Sequence, residues 1–137
     1  MSMKKRRVVI TGLGVVSPVG IGTEKFWQSL LAGKNGISRI THFDPSLFDC
    51  QIAGYVHDFN PLDHFSTKEA RHIARFVQFA EVASKEAIKN STLDLTKIDL
   101  DRMGVLIGSG IGSIETIEDE YKKYLEKGPS RISPFFI

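Results

Sequence analysis

Hydrophobic residues recur along this chain with two different periods, and the places where the period changes divide it into elements. Arg6 to Thr11 (RRVVIT) runs β-branched residues together without polar interruption, the pattern of a buried strand. Gly12 to Gly22 follows as a glycine-rich connection. The spacing then becomes helical. Phe26, Trp27, Leu30 and Leu31 share one face, Gly22 or Thr23 suits the N-cap, Glu24 the first turn and Gly33 the exit. Residues 34–65 lose periodicity except at Gln51 to Val56 (QIAGYV), whose alternation predicts an edge strand. Phe43, Phe48, Phe59 and Phe65 punctuate this stretch, which predicts a packed region rather than a disordered one.

Ser66 with Glu69 three residues later has the form of a capping box. From there Ile73, Phe76, Val77, Ala80, Ala83 and Ala87 form one apolar stripe, predicting a single helix to about Asn90. Gly104 to Gly108 (GVLIG) reads as a second short buried strand, running through SGIGS into a helix from Ser113 to about Lys127. Ile114, Ile117, Tyr121, Tyr124 and Leu125 share a face of that helix, and Gly128 and Pro129 end it. Two strand–glycine–helix units predict an α/β architecture with parallel strands.

Length and charge narrow the picture. A chain of 137 residues can bury one core, or one half of a larger two-lobed fold. No apolar run approaches the roughly 18 residues that span a bilayer, and the basic start has no apolar segment of signal type behind it, so the reading is cytoplasmic and without membrane contact. The formal charge of +2 is concentrated: Lys4, Lys5, Arg6 and Arg7 are all basic, leaving about −2 for the rest. A nucleic-acid binder spreads positive charge along a face, so no nucleic-acid partner is expected. Phe135, Phe136 and Ile137 at the C-terminal end give the expectation of a chain cut in mid-fold, which would expose apolar surface and bind a hydrophobic dye.

The glycine turns invite a nucleotide reading, and the residues oppose it. Gly12 and Gly14 fit the first two positions of G-x-G-x-x-G, but Ser17 and then Pro18 follow, and no acidic residue closes a second strand about twenty residues later. Gly33-Lys34 lacks the Walker glycine, with Gln28 in its place and Asn35 after the lysine. Gly108, Gly110 and Gly112 fail because Ser113 takes the third position of the fingerprint. Ser109 lacks the preceding glycine of a nucleophile elbow, Ile107 standing there. His42, His57, His64 and His72 have no metal-ligand spacing, so no metal is expected. Cys50 is the single cysteine and reads as a structural thiol. By motif, the chain holds no catalytic constellation.

Taken in order, VVITGLGVVSPVG, LLAGKNGIS, HFD, IAGYVHDFN, RHIARFVQFA, GVLIGSGIGS and GPSRISPFF are similar to the opening of β-ketoacyl-[acyl-carrier-protein] synthases, especially the type II condensing enzyme of bacterial fatty-acid synthesis. The likeness runs through almost all of the chain, and TGLGxxSPxG combined with GSGIG gives it specificity. It implies a thiolase-like layered α/β fold, with residues 1–137 as the first part of its N-terminal half, and a homodimer at full length. The first glycine turn would then serve close backbone packing instead of phosphate. The implied reaction is a decarboxylative Claisen condensation. An acyl chain passes from carrier protein to a cysteine, malonyl-carrier protein loses carbon dioxide, and the carbanion attacks the acyl thioester. The family's thiolate, histidines and lysine lie beyond ISPFF, so this chain is expected to hold no catalytic residue and to be inactive alone. No cofactor is implied beyond the phosphopantetheine that the carrier protein brings.

By the same resemblance, Lys68 and Arg71 match the basic helix that receives the acidic carrier protein, and His72 stands where another basic residue is common. The spacing adds Arg75: Lys68, Arg71, His72 and Arg75 fall at i, i+3, i+4 and i+7, away from Ile73, Phe76 and Ala80. An ordinary solvated face is the alternative. Ile111 matches the residue that closes the acyl pocket at the dimer interface, and Phe136 an aromatic lining that pocket from the neighbouring subunit. Plain core positions are the alternative for both. Ser113 replaces a glycine common in the family. Two rival readings are a non-catalytic carrier-protein docking module and, from the first glycine turn, a nicotinamide-dependent reductase.

Overall fold

The structure is a computed structural model and describes residues 6–136, so Lys4, Lys5 and Ile137 lie outside the described residues. The connection after Gly14 folds on itself as a tight antiparallel pair, β1 (Val16–Ser17) and β2 (Gly20–Ile21), with Val16 opposite Ile21 and Ser17 opposite Gly20. Pro18 presets the bend, and the Ser17 hydroxyl donates to the Gly20 carbonyl at 2.9 Å. Helix α1 (Thr23–Leu31) starts from Gly22, whose φ of 88° lies in the left-handed region that a side chain would disfavour. Strands β3 (Ser38–Arg39) and β4 (Ile52–Ala53) form a second antiparallel pair, with Ser38 opposite Ala53 and Arg39 opposite Ile52. A 3₁₀ turn at Pro61–Asp63 leads to α2 (Thr67–His72) and α3 (Arg75–Asn90), and α4 (Ile114–Lys127) precedes a last turn at Pro129–Arg131.

The core sits in the first two thirds of the chain. Val56, Phe59, Phe65 and Val82 are buried together, with Val16, Ile21, Ala70, Ile73 and Phe79 packed against them. Burying each such side chain stabilises by roughly 1.5–3 kcal/mol. Phe59 and Phe65 therefore pack as the irregular stretch predicts, whereas Phe43 and Phe48 pair edge to face on the surface. No helix among the described residues is long and apolar enough to cross a membrane.

Several expectations need correction. Arg6 to Thr11 and Gly104 to Gly108 carry no strand ladder, and Val8 and Leu106 are 93% and 99% exposed. A strand of a buried parallel sheet needs neighbours at its edges and helices on its faces, and the described residues supply neither here. The two ladders that do form are short and antiparallel instead of parallel. The α1 face of Trp27, Leu30 and Leu31 is exposed, while Ser29 is buried. The single helix expected from Ser66 to Asn90 is two helices, parted by extended backbone at Ile73 and Ala74.

That break has a chemical partner. Gln78 is 5% exposed, and its amide donates to the carbonyls of Ala70 and Ile73, both at 3.1 Å. It thereby satisfies acceptors at the end of α2 that a continuous helix would have paired internally.

Candidate functional site

The capping box at the start of α2 forms as its spacing predicts. Ser66 Oγ accepts from the Glu69 amide at 3.3 Å, and Glu69 Oε2 accepts from the Ser66 amide at 2.9 Å. The Ser66 side chain first, then its amide, holds the Glu69 carboxyl below its ordinary value. This fixes a short helix on which Lys68 and Arg71 are both exposed.

Arg75 does not extend their stripe. It belongs to α3, its Nη2 donates to the Val56 carbonyl at 2.6 Å, and its guanidinium lies 4.9 Å from the Phe79 ring centroid and 5.1 Å from that of Tyr55. Backbone hydrogen bonding and cation–π contact hold this charge inward, because the break at Ile73 and Ala74 reorients everything after it. The continuous i, i+3, i+4, i+7 stripe is therefore not present.

Beside the end of α2 opens an apolar cleft of about 730 Å³. It brings together Arg71 and His72 from α2, Phe76 from α3, Ile111, and Phe135 and Phe136. Three stretches distant in sequence thus share one wall system, and both residues expected at an acyl pocket are in it. The resemblance places Phe136 in the pocket of a neighbouring subunit. Here it meets the Ile111 cleft within one chain, because residues 129–136 fold back beside α4. The His72 and Phe135 ring centroids are 4.9 Å apart, so the end of α2 touches the aromatic wall.

Ser113 has a defined task at the cleft edge. Its hydroxyl caps α4, accepting from the Thr116 amide at 3.2 Å. Just before it, Gly112 has φ of 80°, and the Ser109 hydroxyl accepts from the Gly112 amide at 3.0 Å. The serine therefore contributes to the helix start as well as to the cleft wall.

The first glycine turn is held by a residue that the sequence reading passed over. Glu86 of α3 accepts from the Val15 amide at 2.8 Å, the Thr23 amide at 2.6 Å and the Thr23 hydroxyl at 2.9 Å. The Thr23 amide at the start of α1, where a phosphate would be cradled, faces a carboxylate of the protein itself. Burial pushes the Glu86 carboxyl up, and the Thr23 and Val15 hydrogen bonds outweigh it to leave a net lowering. A Cβ on Gly12 would stand 2.1 Å from the Ala87 carbonyl oxygen, and one on Gly14 would stand 1.8 Å from that of Ala83. These glycines serve close backbone packing, as the resemblance implies.

The remaining candidates take other places. Cys50 is exposed and its thiol donates to the Ile52 carbonyl at 3.5 Å. His42 stacks on Tyr55, His57 meets Tyr55 at its edge, and His64 stacks on Phe59. Among the described residues no cluster of His, Cys, Asp and Glu is arranged to hold a metal ion.

Comparison with known proteins agrees with this geometry. Residues 5–137 match the family model described as beta-ketoacyl synthase, N-terminal domain. The chain is 46% identical over 134 residues to a 3-oxoacyl-[acyl-carrier-protein] synthase 2 of Staphylococcus aureus, covering 98% of this chain and 32% of that protein. A β-ketoacyl synthase structure from Burkholderia phymatum is similar with a TM-score of 0.73 and 28% identity, over 96% of this chain and 33% of that one. A type II PKS acyl-carrier protein in complex with its ketosynthase gives a TM-score of 0.71 at 27% identity, over 96% and 34% of the respective chains. The chain thus spans about a third of the length of the curated relatives it matches. With the thiolase-like α/β fold of these ketosynthases, the chain belongs to the β-ketoacyl synthase family, over its N-terminal domain.

Proposed function

We propose that this chain receives an acyl carrier protein and walls the acyl chain within a 3-oxoacyl-[acyl-carrier-protein] synthase. Such an enzyme extends acyl-carrier-protein thioesters by decarboxylative condensation with malonyl-carrier protein, as a cytoplasmic homodimer. One observation carries the reading: the cationic end of α2 borders the same cleft as Ile111 and Phe136. An acidic partner steered by Lys68 and Arg71 delivers its phosphopantetheine arm at the mouth of an apolar cleft. Exposed cations of this kind set the encounter more than the affinity, at about 0.2–1 kcal/mol per pair. The cleft then favours alkyl chains, since each methylene leaving water contributes about 0.8 kcal/mol. Cys50 does not line the cleft and is not the acyl acceptor in this reading.

Calorimetric titration with acyl carrier protein tests it. Lys68→Glu combined with Arg71→Glu is expected to weaken binding about tenfold or more, and raised salt to weaken the unaltered chain. Binding indifferent to both changes would reject the docking assignment. The exposed cations Lys68 and Arg71 on α2 also fit a second reading, a non-catalytic docking module. Carbon dioxide release from malonyl-carrier protein by the protein bearing these residues rejects that module.

A further inference from the structure

Glu120 lies on the wall of the apolar cleft and is only 6% exposed. Both its oxygens are engaged. Oε1 accepts from the Lys123 ammonium one turn along α4, and Oε2 accepts from the Ser133 amide at 2.7 Å. Ser133 in turn holds the residues after it: its hydroxyl accepts from the Phe135 amide at 3.2 Å, and its carbonyl from the Phe136 amide at 3.1 Å. A continuous series of hydrogen bonds therefore runs from a buried carboxylate on α4 to the backbone of both aromatic wall residues.

We infer that Glu120 is the positioning residue of the cleft's aromatic wall, setting through Ser133 the place of Phe135 and Phe136 and hence the fit of an acyl chain. The inference rests on the reading of the cleft as an acyl site. Lys123 offsets the charge, so a carboxylate borders an apolar cavity without being left unpaired there. A water-exposed loop amide would be satisfied by solvent, but one tied to a buried acceptor fixes geometry. The Phe135 ring also rests near His72, so the same tie sets what the end of the docking helix touches.

The charged and titratable groups around this point among the described residues are Lys123 and Lys127 on the same helix, Arg71 and His72 across the cleft, and Arg131 in the turn before Ser133. The Lys123 side chain, then the Ser133 amide, holds the Glu120 carboxyl below its ordinary value. The tie is therefore intact at and above the ordinary glutamate range, and is lost as pH falls through the lowered value.

The test uses the full chain labelled with 15N-serine, together with a fluorescent dodecanoyl-pantetheine probe. The Ser133 amide is expected to shift as Glu120 titrates, and Glu120→Gln to abolish that shift. Glu120→Gln retains reach and an acceptor, so probe affinity should stay within about twofold, whereas Glu120→Ala should weaken it about tenfold. Should the alanine variant not fold, Glu120→Asp decides, because it keeps the charge but loses reach and is expected to bind the probe several-fold more weakly than Glu120→Gln. An unchanged Ser133 titration in Glu120→Gln overturns the inference, as does aspartate binding better than glutamine or unweakened binding by a folded alanine variant. Failure of the unaltered chain to bind the probe removes the acyl reading alone, and the Ser133 amide then decides the tie by itself.

Discussion

Val8–Ile10 runs into Gly12 and Gly14 and then α1, while Val105–Ile107 runs into Gly108, Gly110 and Gly112 and then α4. Their surroundings differ completely. The first turn lies on the backbone of α3, close enough that a Cβ at Gly12 or Gly14 would overlap a carbonyl oxygen. At the second, a Cβ on Gly108 or Gly110 would meet nothing within 4 Å. The helix starts differ as well: α1 is served by Glu86, 63 residues away, and α4 by its own Ser113. A glycine motif grants close approach, and a helix laid against it decides whether that permission is used.

The sharpest way to break this comparison is to add one methyl group to each turn. Gly14→Ala is expected to destabilise by about 3 kcal/mol or to abolish cooperative unfolding, because helix backbone cannot yield as a side chain can. Gly110→Ala should stay within about 0.5 kcal/mol of the unaltered chain, or gain slightly from a stiffer unfolded chain. Urea denaturation gives both numbers, and equal costs would mean that the second turn is packed after all.

Removing Glu86 sharpens the contrast at the helix starts. Glu86→Ala strands two backbone amides and a hydroxyl, at a cost of about 1–3 kcal/mol. Because the folded carboxyl lies below its ordinary value, its contribution is fully present above that value and is lost as pH falls through the lowered one. Melting temperature against pH should therefore drop at the acidic end in the unaltered chain, and more shallowly in Glu86→Gln.

The smallest effect belongs to the local cap. Ser113→Ala should cost about 1 kcal/mol, and Ser113→Gly only a few tenths, read as lost helicity by circular dichroism. A collapse of the Val56–Phe59–Phe65–Val82 core in either variant would show that the two regions are more tightly coupled than their contacts suggest.

What could be read early follows the range of each interaction. The capping box at Ser66 and Glu69 and the α4 limits at Ser113 and Gly128 were legible because every partner lies within four residues. The break between α2 and α3 was not, since neither proline nor glycine marks it and Gln78 makes its stabilising bonds only once both helices are placed. Arg75 read as a surface cation because, apart from Phe79, the groups that hold it inward, the Val56 carbonyl and the Tyr55 and Phe59 rings, lie far back in the chain. Glu120 did leave a signal. It stands three residues after Ile117 and four before Tyr124, an acid inside an apolar stripe.

The amino-acid sequence by itself determined the limits of α1 and α4, the start of α2, which residues are apolar, and the family to which the order of motifs belongs. Those depend on short-range sterics, capping and composition, which act before any distant contact exists. Tertiary structure decided that Glu86 fills the first glycine turn, that Arg75 faces inward, and that Arg71, Ile111 and Phe136 share one cleft. It also decided that Val8–Ile10 and Val105–Ile107 lie exposed. Each of those outcomes turns on which surfaces meet, and a β-branched run becomes a buried strand only where a neighbouring backbone offers hydrogen bonds and a neighbouring helix covers its face.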